Sequence, residues 1–510
     1  MQFDYLYPMY VKYIYPGDTI SASLGMLARL QTQIRPLYDD LYFDIHAWYV
    51  PMRLIHTNWA RYQFNTKVTG PSQDNTALTS PKIDLATLGA GGFASKGLYD
   101  YLGLPTKINA VASTQHINNY AARAYNLIWN QNYMDQNLQT PVTVDLGDGP
   151  DLASNYVLLK RGKRHDRFTS SLTSAQKGAA VTLPLGTSAP VRGIGKFGTQ
   201  NFPNTAATVY ESGQTSTTTF GFSATSSGVG DGRFEIQGTA ATGGYPNIYA
   251  DLTNATSATV NQLRQSIAVQ HLLEADSRGG SRDVEAILNR WGVSVPDFRM
   301  QRPEYLAGQT FSFDGHVVPQ TSATGLTGGT TPAGYLTQFS QSMSQMNIVH
   351  SFVEHGIFMV LISARSNMTY QQGLLKEMQY KTRYDWYQPE FSNLGEVGVK
   401  NSEIYFSGVD ATDNGIFGYQ EYAYELRYGM NRVSGEMRSN YATPLDSMHM
   451  ADSYGSLPTL GSAWIQSTTP ISRNIAVSAA TADPIWVNSM FQGKIARTLP
   501  MYSIPGLNRL

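Results

Sequence analysis

Residues 16–32 read PGDTISASLGMLARLQT, and residues 41–51 read LYFDIHAWYVP. In the first stretch Ile20, Ala22, Leu24, Met26, Ala28 and Leu30 fall on one face, opposite Ser21, Ser23, Gly25, Arg29 and Gln31. Successive side chains of an extended chain point to opposite sides, so this period of two predicts a strand with one apolar and one polar face. Pro16-Gly17-Asp18 supplies turn chemistry just ahead of it. The second stretch repeats the pattern, with Leu41, Phe43, Ile45, Ala47 and Tyr49 against Tyr42, Asp44, His46 and Trp48. Pro51 ends it by withholding a ladder donor.

The last third of the chain reads the same way. Strands are predicted over Ile348–Phe352, Ile357–Ser363, Ser402–Phe406, Tyr419–Tyr428, Ile471–Val477 and Ile485–Val487. In the fourth of these Tyr422, Tyr424, Leu426 and Tyr428 alternate with Glu421, Ala423, Glu425 and Arg427, and each phenol needs a polar partner at its tip. Between the strand-rich ends lie helical signatures. Ile117, Tyr120, Ala121, Ala124 and Ile128 recur at helical spacing. Leu263, Ile267 and Leu272 mark another helix, broken at Gly279-Gly280. Ser281 then caps a second one carrying Val284, Ile287, Leu288 and Trp291.

The expected fold is mainly β: a single eight-stranded jelly-roll β-sandwich with long inter-strand insertions containing a few helices. It is expected as one structural domain, with N-terminal strands over 1–63 and an insertion over 64–185 holding a helix at about 115–133 and a basic loop. A Gly/Ser/Thr-rich surface insertion follows over 186–258, then a helical insertion over 259–310, then C-terminal strands and loops over 311–510. The segment 186–258 carries only 7 charged residues among 73, which suits an exterior insertion marked out by Gly186, Phe220, Arg233, Tyr245 and Ala258.

Composition excludes several classes. Of 510 residues 15% are charged, 37 basic against 38 acidic, so the chain is neither disordered nor a general nucleic-acid coat. It has no cysteine, which removes disulfides, thiolate metal sites and cysteine nucleophiles. The start shows no basic region leading into an apolar run, and the longest apolar run, Ile357–Ile362, is far short of the ~20 residues that span a bilayer. A soluble, unexported chain without membrane insertion is expected. No catalytic, cofactor or metal residue is expected either. His350 and His355 are five apart in a strand-like run and point to opposite faces, and His46 reads as a hydrogen-bonded core or interface histidine. The Gly-rich runs lack the strand, lysine or helix that would make them phosphate cradles.

The densest charge is Lys160, Arg161, Lys163, Arg164 and Arg167, five cations in eight residues. Lys494, Arg497 and Arg509 form a weaker second group. Both are candidates for DNA-phosphate or inter-subunit contact. No stacking aromatics interleave the first run, which favours carboxylate pairing by planar guanidiniums across a subunit boundary.

Seven stretches together resemble the major capsid protein of the Microviridae, gokushovirus-type members in particular. They are YPGDTISASLGMLARLQTQIRPLYDDLYFDIHAWYVPMRL (15–54), INNYAARAYNLIWNQNYMDQNL (117–138), LLKRGKRHDRFTSSLTSAQKGAAV (158–181), the helical block 261–308, EHGIFMVLISARSNMTYQQGL (354–374), the block 385–439 opening DWYQPEF, and ARTLPMYSIPGL (496–507). They cover roughly two thirds of the chain in one consistent order. Thr173-Ser174-Ala175 stands where relatives usually show Pro-Trp-Pro, and 64–110 and 186–258 resemble no relative closely. The resemblance implies a non-enzymatic shell protein of a virion, assembled in the host cytoplasm through pentamers into a sixty-copy T=1 shell around circular single-stranded DNA. Implied partners are further copies of the chain, small basic internal and DNA-pilot proteins, a scaffolding protein as a further candidate, and a bacterial surface receptor met by the insertion at 186–258. The alternative is a non-enzymatic β-sandwich surface module that binds carbohydrate.

Overall fold

The alternation over 16–32 becomes one unbroken strand in the computed structural model. The structure describes residues 1–64, 78–179, 181, 191–192, 249–250, 260–279, 283–294, 296–297, 299–312, 316–319, 321, 336–478 and 481–497. Strands β1 (Tyr7–Ile14), β2 (Thr19–Leu30) and β3 (Leu41–Pro51) come first. Ile20, Ala22, Leu24, Met26, Ala28 and Leu30 are all buried, while Ser21, Leu27 and Arg29 are exposed. The larger of these, Ile20, Leu24, Met26 and Leu30, each contribute on the order of 1.5–3 kcal/mol when fully buried.

Two-residue pairings follow. β4 (Ile83–Asp84) lies parallel to β5 (Asp151–Leu152), and β6 (Val191–Arg192) lies antiparallel to β7 (Tyr249–Ala250). The remaining strands are β8 (Glu304–Ser312), β9 (His316–Pro319), β10 (Leu336–Ser351), β11 (Gly356–Ser366), β12 (Glu396–Lys400), β13 (Ile416–Glu421) and β14 (Ile485–Ala496). Eight of them make two four-stranded antiparallel sheets, in the orders β1-β11-β3-β8 and β14-β2-β10-β9.

One apolar core joins both sheets. It takes Phe43, Ile45, Ala47 and Tyr49 from β3, and Phe358, Val360, Ile362 and Ala364 from β11. The second sheet adds the apolar face of β2 with Met346, Ile348 and Ile485. The first sheet is covered on its other face too. There Trp48, Val50, Ile357, Met359 and Leu361 pack with Tyr125, Ile128 and Trp129. These three belong to the helix Tyr120–Asn132, which lies inside the span read as helical at about 115–133. All eleven residues of β11 are therefore buried. A third cluster gathers Phe168, Tyr370, Val399, Ile404, Phe417, Tyr424, Trp464 and Ile465.

The chain divides into two compact units, 1–175 with 281–510, and 176–280. The second holds β6, β7 and the helix Val260–Arg278; the helix Asp283–Trp291 belongs to the first. The positions Gly186, Phe220, Arg233, Tyr245 and Ala258 lie outside the described residues, as does Arg509.

Several expected elements differ. Strand β13 stops at Glu421, because Ala423 takes a left-handed backbone (φ 59) and Tyr424–Leu426 forms a short 3-10 helix. Ser402–Phe406 is not a strand: one helical turn, Asn401–Ile404, places Ser402, Glu403 and Ile404 in the interior together. Ile471–Arg473 is a 3-10 turn entered from Pro470, and only Ile475 makes a bridge, to Gln33. The segment read as a helical insertion over 259–310 ends in strand β8, which pairs with β3. Strand β1 was missed, since Tyr7-Pro8-Met9-Tyr10 shows no alternation; it is an edge strand whose register shifts between Pro8 and Tyr10. Strand β14 runs on to Ala496, with small Ser489 and Gly493 hiding its alternation.

Candidate functional site

The basic segment threads between distant parts of the first unit. Arg161 donates its amide to the carbonyl of Asp4 at 2.8 Å, Lys163 to that of Ile465 at 2.8 Å, and Ser467 donates back to the carbonyl of Arg161 at 2.9 Å. Isolated bridges join Lys160 to Tyr5, Gly162 to Gln466 and Leu172 to Tyr419. Backbone order of this kind holds each cation in one place, and each then meets a fixed partner.

Arg161 reaches the first sheet. Its Nη1 donates to Asp44 Oδ2 at 2.6 Å and to Ser363 Oγ at 3.0 Å. Arg365 adds two bonds to the same Oδ2, at 2.6 and 3.1 Å, and Thr310 gives its hydroxyl to Oδ1 at 2.6 Å. Burial alone would push the Asp44 carboxyl up; Arg161, Arg365 and the Thr310 hydroxyl outweigh it and hold it at about 2. Next along the strand, His46 Nδ1 lies 2.7 Å from the Tyr133 hydroxyl, which also accepts from Trp48 Nε1 at 3.0 Å. Burial, helped by Arg161, lowers the His46 imidazole to about 4, so it is neutral at pH 7.

Lys163 is buried. Its Nζ donates to Asp452 Oδ2 at 2.9 Å and to the Tyr454 hydroxyl at 3.3 Å, and sits 4.5 Å from the centre of the Trp464 ring. Arg167 Nη2 donates to buried Glu403 Oε2 at 2.7 Å. The Tyr424 hydroxyl donates to the same carboxylate, at 2.7 and 2.8 Å to its two oxygens. Lys160 and Arg164 lie over the rings of Tyr5 and Tyr42, at 5.4 and 4.2 Å. Neither has a carboxylate partner among the described residues.

The second basic group separates. Arg497 donates to both oxygens of Asp18, at 2.9 and 2.6 Å, and this bond holds the Asp18 carboxyl below its ordinary value. Lys494 is exposed on β14. The structure thus brings Arg161, Lys163 and Arg167 onto carboxylates of their own chain and leaves Lys494 in the open.

Two features were not legible as functional. Arg123, on the helix Tyr120–Asn132, makes a fully buried bidentate pair with Asp151, at 2.7 and 2.6 Å, and gives Nη1 to the carbonyl of Ile55 at 2.8 Å. Helical spacing marks which face is apolar, and it carries no sign that an arginine shares that face. Large apolar side chains are also left exposed in groups: Leu263, Ile267 and Leu272 on the helix Val260–Arg278, and Met378, Tyr384, Trp386, Leu394 and Phe406 further on. Among the described residues no group of three His, Cys, Asp or Glu is placed to hold a metal, and no helix is long and apolar enough to cross a membrane.

A family model for a phage capsid protein (F protein) matches residues 1–507. The capsid protein VP1 of Bdellovibrio phage phiMH2K is 39% identical over 514 residues, covering 99% of this chain and 92% of that protein. The capsid protein VP1 of Chlamydia phage 1 is 35% identical over 577 residues, covering 99% and 93%. That of Spiroplasma virus 4 is 34% identical over 529 residues, covering 99% and 92%. With the match running through both sheets and the paired basic segment, the chain belongs to the capsid protein (F protein) family of the gokushovirus-type Microviridae.

Proposed function

We propose that this chain is the major shell subunit of a virion. The eight strands of its two four-stranded sheets form a jelly roll, and sixty copies, built through pentamers, close a T=1 shell around circular single-stranded DNA. The role is structural and non-enzymatic. One observation carries the reading: on the 19-residue helix Val260–Arg278, Val260, Leu263, Ile267, Val269 and Leu272 are each 42–65% exposed. An isolated helix gains its stability in a protein by burying an apolar face, and an exposed apolar patch of this kind marks a contact surface. A second copy of the chain covers it, in an interface of the size typical of permanent assemblies, over about 2,000 Å² in total.

Electron microscopy and sedimentation of the purified protein test this. Closed particles of uniform size are expected, and Leu263→Glu with Ile267→Glu should leave folded subunits that no longer close. A wild-type protein that stays monomeric at all concentrations sinks the reading. Residues 186–258 are proposed to meet the host surface. Small basic internal and DNA-pilot proteins, together with a scaffolding protein, are proposed as its partners in assembly.

A further inference from the structure

The two sheets differ in what they turn away from the shared core. Among the described residues, β3 and β11 of the first sheet are packed on both faces, whereas β2 and β14 of the second turn one face to the core and one to the open. Residues in register across an antiparallel pair share a face. Trp486 is in register with Arg29, Asn488 with Leu27, Met490 with Gly25, Gln492 with Ser23 and Lys494 with Ser21. On the other side Asn347 is in register with Ser23 and Val349 with Ser21. Trp486, Asn488, Met490, Gln492, Lys494, Arg29, Asn347 and Val349 are all exposed.

This face has an unusual charge pattern. None of its four strands contains an Asp or Glu, in a chain with 38 of them, while the first sheet contains Asp44 and Glu304. The carboxylates at its two ends are already neutralised. Asp18 is bound by Arg497, and Asp483 by Lys96 and the N-terminal ammonium. Arg29 and Lys494, by contrast, have no carboxylate partner among the described residues, and the Arg29 guanidinium lies 5.5 Å from the centre of the Trp486 ring. A polyphosphate chain approaching this face meets cations, hydroxyls, amides and one indole, and no like charge.

We propose that the open face of this sheet binds single-stranded DNA, with Arg29 and Lys494 against phosphates, Trp486 stacking on a base, and Ser21, Ser23, Asn488 and Gln492 as hydrogen-bonding partners. It rests on the shell reading above and names the surface that touches the genome. The basic segment 160–167 is unsuited to that task, because Arg161, Lys163 and Arg167 are held by their own chain's carboxylates.

Two measurements test it. The purified full chain, kept as unassembled subunits, is titrated with a twenty-residue oligothymidylate across a range of salt. Arg29→Gln with Lys494→Gln should weaken binding roughly tenfold at low salt and lower the slope of log K against log salt by about 1.4, from ~0.7 per phosphate contact on a single strand. Trp486→Ala should weaken binding roughly fivefold or more with the slope unchanged, since stacking is not ionic. In the second measurement Ser23→Glu with Gln492→Glu should form particles at the wild-type yield with a reduced ratio of DNA to protein. Unchanged affinity and slope in the charge variant would overturn the proposal. So would loss of particles in the glutamate variant with oligonucleotide binding intact, which would make the face a contact between copies. Failure of the wild-type protein to form particles would sink the shell reading alone, because the oligonucleotide titration does not depend on closure.

Discussion

Asp44 shows how much one residue depends on partners far along the chain. Alternation in 41–51 placed it opposite Phe43 and Ile45, and there it sits. Its ligands are 117 and 321 residues away, and the polar side of a strand pattern is silent about what will cover it. Removing its charge by Asp44→Asn leaves Arg161 and Arg365 facing each other without compensation, and should cost about 3–5 kcal/mol in urea unfolding. The pH dependence follows from the direction of its shift. The folded carboxyl, at about 2, lies below the ordinary value of 3.8, so its contribution is fully present above pH 3.8 and is lost as pH falls through 2. That contribution is worth about 2 kcal/mol, so unfolding of the wild type should weaken between pH 4 and 2 by that much more than the Asn variant. Equal pH profiles would refute this role for the Asp44 carboxylate. Arg123→Ala should likewise cost about 3–5 kcal/mol, because it strands the buried Asp151 carboxylate.

At the scale of elements, the readings that held are those where one face meets a continuous core. β2 was read to within its observed ends because its inward residues are uniformly apolar. β14 was read for only three of its twelve residues, because its inward positions include Ser489 and Gly493. The 422–428 alternation failed for a different reason. Only Tyr424 of its four bulky residues is buried, with its hydroxyl on Glu403, while Leu426 and Tyr428 are exposed. Period two therefore arose there without a buried face. Gly356 opens β11, and a Cβ there would overlap the ring of Tyr49, which is buried and donates its hydroxyl to the carbonyl of Glu354. Gly356→Ala should accordingly lower stability by about 1–3 kcal/mol, read from thermal unfolding. A variant as stable as the wild type would show that the corner yields.

For the whole molecule, the distribution of charge decides which surfaces are free to act. Lys163→Ala and Arg167→Ala should each sharply reduce soluble protein, since the first leaves the half-buried Asp452 and the second the buried Glu403 without its cation, whereas Lys494→Gln should leave solubility unchanged. Comparable soluble yields for all three would deny the segment its role as an internal tie. Deleting residues 186–258 should spare closed particles and lower attachment to host cells, with particle counts and adsorption assays as the readout. The sequence by itself determined the strand-rich ends, the helices between them and the absence of thiol chemistry, because alternation, helical spacing and residue type are local properties; the capsid family was legible in it only through the resemblance of seven stretches. Only the tertiary structure decided that three of the five cations in the densest basic run are held by carboxylates of their own chain, and that β2 and β14 turn a carboxylate-free face outward among the described residues. Both depend on which residues a distant strand brings opposite, and that is set by packing across hundreds of residues, which no local pattern records.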